Sequence, residues 1–376
     1  MSKSKEVFST MLLILVATIA LNQSYGIISN ADNIAKMQFL NNATNAVNGS
    51  FSKVQTGNMT LVNGTEEIMF YNKTNVTSTP PPTPIEICGD GIDNDGDGLV
   101  DEGCPILPPT VPDKPTVDIN QSKIVRACAV GDVDNNNGLV TQVNLAKKYN
   151  CEVFVLPGDF AYSSASGVKT KLADGGFTKD NTVLANGNHD SCSFVTSFTG
   201  MANCYGLFNL SNSRVNSFVS FITIDANSAF GCTSSQFNTI KSKMESSDAW
   251  YNVVVVHQPF VTAPSKHGVN GQFDCYNPLF KANGVKLVMQ AHNHNYQRFN
   301  INGMIYGTYG TGTHDTGSSM YSFSGNTWKN FDCLKCITKI NGITVFDFKI
   351  DDPAKRNINA WFLDNSGNVK DKFGVN

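Results

Sequence analysis

The sequence predicts an α/β domain whose sheet is covered on both faces, and three observations predict it. From about residue 119 onward apolar runs alternate with amphipathic stretches, the texture of strands joined by helices. Several of those runs are apolar throughout, as strands buried on both faces are. Residues of metal-ligand quality stand immediately after the runs, at the strand ends where an open α/β sheet gathers its functional loops.

The elements follow in order. Residues 123–130, 152–156, 182–185, 218–224, 252–256 and 286–289 read as strands, and 141–149 and 234–246 read as helices between them. Such alternation puts helices against the sheet. Residues 340–350 and 357–363 close the chain with further strands, expected to be antiparallel.

Ahead of this domain the texture differs. Lys3 and Lys5 precede an apolar run at 11–21 and then Ser24-Tyr25-Gly26, which reads as a secretory signal over 1–26. An uncleaved anchor is the rival reading, against which the run is shorter than the roughly 20 residues a spanning helix needs. Residues 27–84 are rich in Asn, Thr and Ser, with sequons at Asn42, Asn48, Asn58, Asn63, Asn72 and Asn75 and two more at Asn120 and Asn209. They read as a glycosylated, weakly structured stalk or as a plain polar linker.

In 85–104, Asp93, Asp95, Asp97 and Asp101 hold the first, third, fifth and ninth places of an EF-hand-like loop, with Cys104 where the bidentate Glu belongs. A calcium-binding spacer is the reading preferred over an acidic turn. A Pro-rich linker at 105–117 then leads to the main domain, 118–376.

The whole chain, 376 residues, exceeds what one typical domain needs, and its formal net charge of −3 argues against a broad basic face for nucleic acid. Oligomeric state is not legible. All ten cysteines lie beyond the signal segment, which in an exported chain implies disulfides. Cys88 with Cys104 and Cys192 with Cys204 are close partners and the first pairings to expect, with connectivity left open, while Cys333 and Cys336 form a CxxC without a second one to complete a zinc site, so a structural disulfide is expected there.

Five motifs in sequence order carry the chemistry. They are Gly131-Asp132-Val133-Asp134, Gly158-Asp159-Phe160-Ala161-Tyr162, Gly187-Asn188-His189-Asp190, Val256-His257 and Ala291-His292-Asn293-His294. Alone, each Asp is more simply a turn former and each His a bonded core residue. Together they offer hard oxygen and imidazole donors enough for two metal ions sharing one carboxylate, an arrangement suited to in-line displacement at phosphorus.

The order GD, GDxxY, GNHD, VxxH and HxH resembles that of the calcineurin-like metallophosphoesterases, and GDFAY at 158–162 with HNHNYQR at 292–298 resembles the purple acid phosphatases in particular. The resemblance runs from residue 123 to the end. It implies a sandwich of two mixed β-sheets flanked by helices, and a secreted acid phosphatase hydrolysing phosphate monoesters by attack of a metal-bound hydroxide. It further implies that Asp132, Tyr162 and His294 hold Fe(III), that Asn188, His257 and His292 hold Fe(II), Zn(II) or Mn(II), and that Asp159 bridges. His189 would serve the leaving alkoxide, Asp190 would orient His189, and His267 would touch substrate or lie in water. Most superfamily members place a His where Asp134 stands. The purple enzymes also lack it and use the Tyr of GDxxY. Asp134 is left as an outer group, an extra ligand or a turn former, and Ala291 replaces the usual Gly before HxH. Rival readings keep the metals but take diesters or nucleotides as substrate, or drop catalysis for a calcium-binding surface protein.

Overall fold

The computed structural model describes residues 59–63, 66–70, 110–263, 265–323 and 331–376. The segment 1–26, most of 27–84, and the loop 85–104 with Asp93, Asp95, Asp97, Asp101, Cys88 and Cys104 lie outside the described residues. The chain divides into two compact units, Met1–Pro105 and Ile106–Asn376. In the first, β1 (Met59–Asn63) and β2 (Glu66–Phe70) form an antiparallel pair with Leu61 opposite Ile68. Thr60, Val62 and Ile68 favour strand, and only two residues, Gly64 and Thr65, separate the halves.

The second unit begins its sheets with β3 (Ile124–Ala129), α1 (Asn137–Lys148), β4 (Val153–Leu156), α2 (Ala165–Asp174), β5 (Thr182–Leu184) and α3 (Cys192–Thr199). It continues through β6 (Gly206–Leu207), α4 (Ser213–Phe218), β7 (Val219–Ile224), α5 (Ser235–Glu245), β8 (Tyr251–Val256), α6 (Phe273–Ala282) and β9 (Leu287–Gln290). It ends with β10 (Tyr296–Ile301), β11 (Met304–Tyr309), β12 (Lys335–Ile337), β13 (Gly342–Lys349), β14 (Ile358–Asp364) and β15 (Val369–Val375).

Two mixed sheets result. One has the order β15-β14-β13-β3-β4-β5, and the other β12-β10-β11-β9-β8-β7-β6. In the first, β3, β4 and β5 are parallel, whereas β13, β14 and β15 add antiparallel strands. In the second, β7, β8, β9 and β11 run parallel. Parallel neighbours need crossovers, and α1, α2, α5 and α6 supply them. Strand β8 shows how one sheet serves two cores: Tyr251, Val253 and Val255 join the cluster shared with Val345 and Trp361 of the other sheet, while Val254 and Val256 face the cluster holding Ile240 and Phe280. Alternation of side chains along the strand separates the two sets.

This is the α/β architecture expected, with helices outside two packed mixed sheets. Helices α2, α3, α4 and α6 and strands β10 to β12 were not legible as elements. Helix α6 contains Pro278, and β10 carries Gln297, Arg298 and Asn300, so neither shows a clean apolar period. Part of the expected Pro-rich linker is tied to the domain: Pro112 O accepts from Trp361 Nε1 at 2.8 Å and Thr116 O from Arg126 Nη1 at 2.6 Å. Disulfides join Cys192 to Cys204 and Cys333 to Cys336 as expected, and also Cys128 to Cys151 and Cys232 to Cys275, pairs the spacing did not single out. Among the described residues no helix is long and apolar enough to cross a membrane.

Candidate metal centre

Each functional loop leaves the carboxyl end of a strand. The first follows β3, the second β4, the third β5, the fourth β8 and the fifth β9. Backbone bonds lock the first two together, since Asp132 N donates to Gly158 O at 3.1 Å and Val133 N to Asp159 O at 2.9 Å. Asp132, Asp159 and His292 have φ values of 58°, 55° and 71°. Such left-handed backbone costs non-glycine residues about 1–3 kcal/mol and concentrates at functional sites. Close packing explains two glycines: a Cβ on Gly187 would lie 2.1 Å from Asp159 Oδ1, and one on Gly158 would lie 2.6 Å from the His257 ring.

The structure brings Asp132, Asp159, Tyr162, Asn188, His257, His292 and His294 into one cluster with two halves. In the first, Tyr162 Oη lies 3.2 Å from Asp132 Oδ1, 3.0 Å from His294 Nε2 and 2.7 Å from Asp159 Oδ2. In the second, His257 Nε2 lies 3.1 Å from Asn188 Oδ1, 3.1 Å from His292 Nδ1 and 3.2 Å from the same Asp159 Oδ2. One carboxylate oxygen therefore belongs to both halves. Metal–donor bonds of about 2.0–2.1 Å at right angles place neighbouring donors about 2.9 Å apart. The observed separations fit that spacing, and the donor set of carboxylates, phenol, amide oxygen and imidazoles fits two ions of differing hardness. Asp159, His257 and His292 alone suffice to bring three donor atoms within 4.8 Å of one another.

Without cations these groups perturb each other strongly. Burial opposes the charge on Asp159, yet neighbouring His257 and the His189 amide hold its carboxyl well below the usual range. Burial likewise depresses His257, but Asp159 overrides it and raises the imidazole to about 9. His292 is pushed down to about 3 by burial and then by His257. Burial, reinforced by Asp132 and Asp159, drives Tyr162 far above the ordinary phenol value.

Around the donors stand residues of three kinds. His189 has its ring 4.5 Å from that of Tyr162, and its amide donates to Asp159 Oδ1 at 2.9 Å. His267 stacks on His292 at 3.9 Å. Asp190, expected to orient His189, instead accepts from the Asp159, Phe160 and Gly187 amides at 2.7, 2.9 and 2.8 Å, so it braces the two loops. Asp134 stands apart from the donors, accepting from Asn135 N and Ser163 Oγ and facing His314 Nδ1 at 3.7 Å. An outer role is what these contacts describe.

Several neighbours escaped the sequence reading. Asp315 Oδ2 holds His294 Nδ1 at 2.5 Å, the carboxylate–imidazole pairing that orients metal-ligating histidines. His314 stacks on Tyr162 at 3.5 Å with the rings 8° apart, and Tyr321 stacks on His294 at 4.2 Å. The one available signal was the Gly310-Thr311-Gly312-Thr313-His314-Asp315 stretch after β11, another strand-end loop with ligand-grade residues. A cavity of about 200 Å³ opens over the cluster, lined among others by Asp159, His189, Lys266, His267, His314 and Tyr321.

Comparison with known proteins gives this geometry a context. The model of the calcineurin-like phosphoesterase family matches residues 125–296. Among solved structures, the chain is similar to the purple acid phosphatase PPD1 from yellow lupin (Lupinus luteus) seeds, with TM-score 0.50 and 14% identity over 70% of this chain and 55% of that one. It is also similar to GAP50, the anchor in the inner membrane complex of Plasmodium, with TM-score 0.49 and 17% identity over 68% of this chain and 89% of that one. The chain thus spans about half the length of the lupin enzyme. At such identity the likeness to the lupin enzyme is one of fold. A sequence search of the curated proteins finds no match.

Proposed function

We propose, with the match of residues 125–296 to the calcineurin-like phosphoesterase family as premise, that this chain is an exported dinuclear-metal phosphatase acting on phosphate monoesters. The observation that carries the reading is Asp159 Oδ2, which lies 2.7 Å from Tyr162 Oη and 3.2 Å from His257 Nε2 and so joins two donor sets. Asp132, Tyr162 and His294 suit the harder ion, Fe(III). Asn188, His257 and His292 suit Fe(II), Zn(II) or Mn(II). When bound, such ions neutralise the phosphoryl oxygens and acidify a water at neutral pH.

The chain's own residues do the rest. His189 faces the cavity beside Tyr162 and hands a proton to the departing ester oxygen. His267, stacked on His292, borders the same space and steadies the phosphoryl group. Asp190 keeps the β4 and β5 loops in register by accepting amides from both. In the same reading residues 1–26 direct export, which agrees with four disulfides in the second unit. Residues 27–84 form a sugar-bearing stalk, and Asp93, Asp95, Asp97 and Asp101 hold calcium. The substrate partner is a small phosphorylated molecule.

The test is turnover of p-nitrophenyl phosphate against bis-p-nitrophenyl phosphate by purified protein with its metals determined. Faster monoester hydrolysis, reduced by more than about a hundredfold in His257→Ala, is expected. Unchanged activity in that variant overturns the reading, and faster diester hydrolysis moves the substrate class.

A further inference from the structure

Among the described residues lining the cavity, Lys266 is the one fixed cation. Its Nζ donates to Tyr321 Oη at 3.0 Å and lies 4.6 Å from the centre of that ring. Tyr321 in turn stacks on His294, so the lysine–tyrosine pair sits beside the donor cluster at the cavity. Asp315, the acid whose charge acts on Lys266, is engaged by His294 Nδ1. Asp315 thus remains a nearby countercharge, and among the described residues the polar partner of Nζ is the Tyr321 hydroxyl.

The position is also built rather than incidental. Next to Lys266, His267 N donates to Asn293 Oδ1 at 3.0 Å, and Asn293 Nδ2 returns a bond to His267 O at 3.1 Å. Asn293 is fully buried in the His292–His294 loop and also donates to Thr262 Oγ1. On the other side Tyr321 N donates to His294 O at 3.3 Å, and Asn295 Nδ2 to Tyr321 O at 3.2 Å. Tyr321 and the backbone beside Lys266 thus both hang from the loop that carries two donors.

A positive charge lining the cavity beside the donors discriminates on what the substrate carries beyond the reacting phosphoryl group. We infer that Lys266 selects phosphate monoesters whose leaving group bears a second anion, a carboxylate or another phosphate. This rests on the phosphatase reading above. Recognition is electrostatic, through Nζ and the Tyr321 hydroxyl, and weakens as salt rises.

A matched pair of esters tests it: 4-carboxyphenyl phosphate and phenyl phosphate, which differ by one carboxylate at the far end of the leaving group. In the metal-loaded full chain the ratio of their kcat/KM values is expected to favour the carboxylated ester. It should fall about fivefold in Lys266→Met and be restored in Lys266→Arg. A ratio that is unaltered in Lys266→Met, including an equal loss for both esters, overturns the inference. If the protein hydrolyses neither ester, the phosphatase reading fails, and calorimetry with 4-carboxyphenylphosphonate and phenylphosphonate decides Lys266 separately. Preferential binding of the first that is lost in Lys266→Met sustains the inference, and equal binding of the two overturns it.

Discussion

His257 and Asp159 set the proton traffic of the site. In the metal-free protein the carboxyl lies below its usual range and the imidazole is raised to about 9, so at neutral pH the pair is an ion pair with a proton on His257. A cation that takes His257 Nε2 must displace that proton, and the sign follows: protons compete, so metal affinity rises with pH until the imidazole has lost its proton, above about pH 9. Calorimetric Zn(II) titration in buffers of different ionisation enthalpy should show proton release at pH 7 and less of it at pH 9.5. Equal release at both would remove His257 from the donors. Tyr162 makes a second residue-scale case. Burial and two carboxylates hold its phenol neutral, so ionised tyrosine appears only when a strong cation arrives. Iron-loaded protein should absorb broadly in the green to yellow, and Tyr162→Phe should abolish the band. A colourless protein with two zinc or manganese ions keeps the dinuclear site and removes the ferric assignment.

At the scale of elements, the strand-end loops work because they touch without intervening side chains. Gly187 follows β5 with no room for a Cβ beside Asp159 Oδ1. Gly187→Ala should thus displace the shared carboxylate, lowering kcat at least about tenfold by misplacing a reacting group. Wild-type turnover in that variant would mean that the loops separate readily. Helix α1 begins at the same face. Its N-cap Asn136 accepts from Gly138 N and Leu139 N, and also accepts from Thr313 Oγ1 at 2.8 Å. Asn136→Ala should cost about 1 kcal/mol in denaturant unfolding. Because Thr313 precedes His314 and Asp315, the same change is expected to weaken metal retention.

At the scale of the whole second unit, a buried ion pair ties one sheet together. Arg126 on β3 and Asp347 on β13 are opposite one another in the antiparallel register. Arg126 reaches both Asp347 oxygens, at 2.5 and 2.8 Å, and its Nη1 reaches Thr116 O and Tyr149 O. One guanidinium thus links the parallel strands, the antiparallel strands and the incoming chain at 110–117. Asp347→Ala would leave that charge buried and unpaired, a loss of about 3–5 kcal/mol. Chemical denaturation should show this as a lower midpoint, and a midpoint within about 0.5 kcal/mol of wild type would mean that water reaches the pair.

The amino-acid sequence by itself determined the α/β class and the strands at 123–130 and 252–256, and it singled out Asp132, Asp159, Tyr162, Asn188, His257, His292 and His294, which the structure gathers into one cluster. Strand signals and strand-end motifs are local, so residue order carries them. What only the tertiary structure decided is which donors share an oxygen, that Asp190 braces loops rather than His189, and that Asp315, His314, Tyr321 and Lys266 border the site. Those residues sit in polar or Gly-rich segments with no periodicity, and their roles come from contacts between stretches far apart in the chain. Cys128–Cys151 and Cys232–Cys275 belong to the same group. Sequence spacing ranks pairs by chain distance, whereas a disulfide forms where folding brings two sulfurs together.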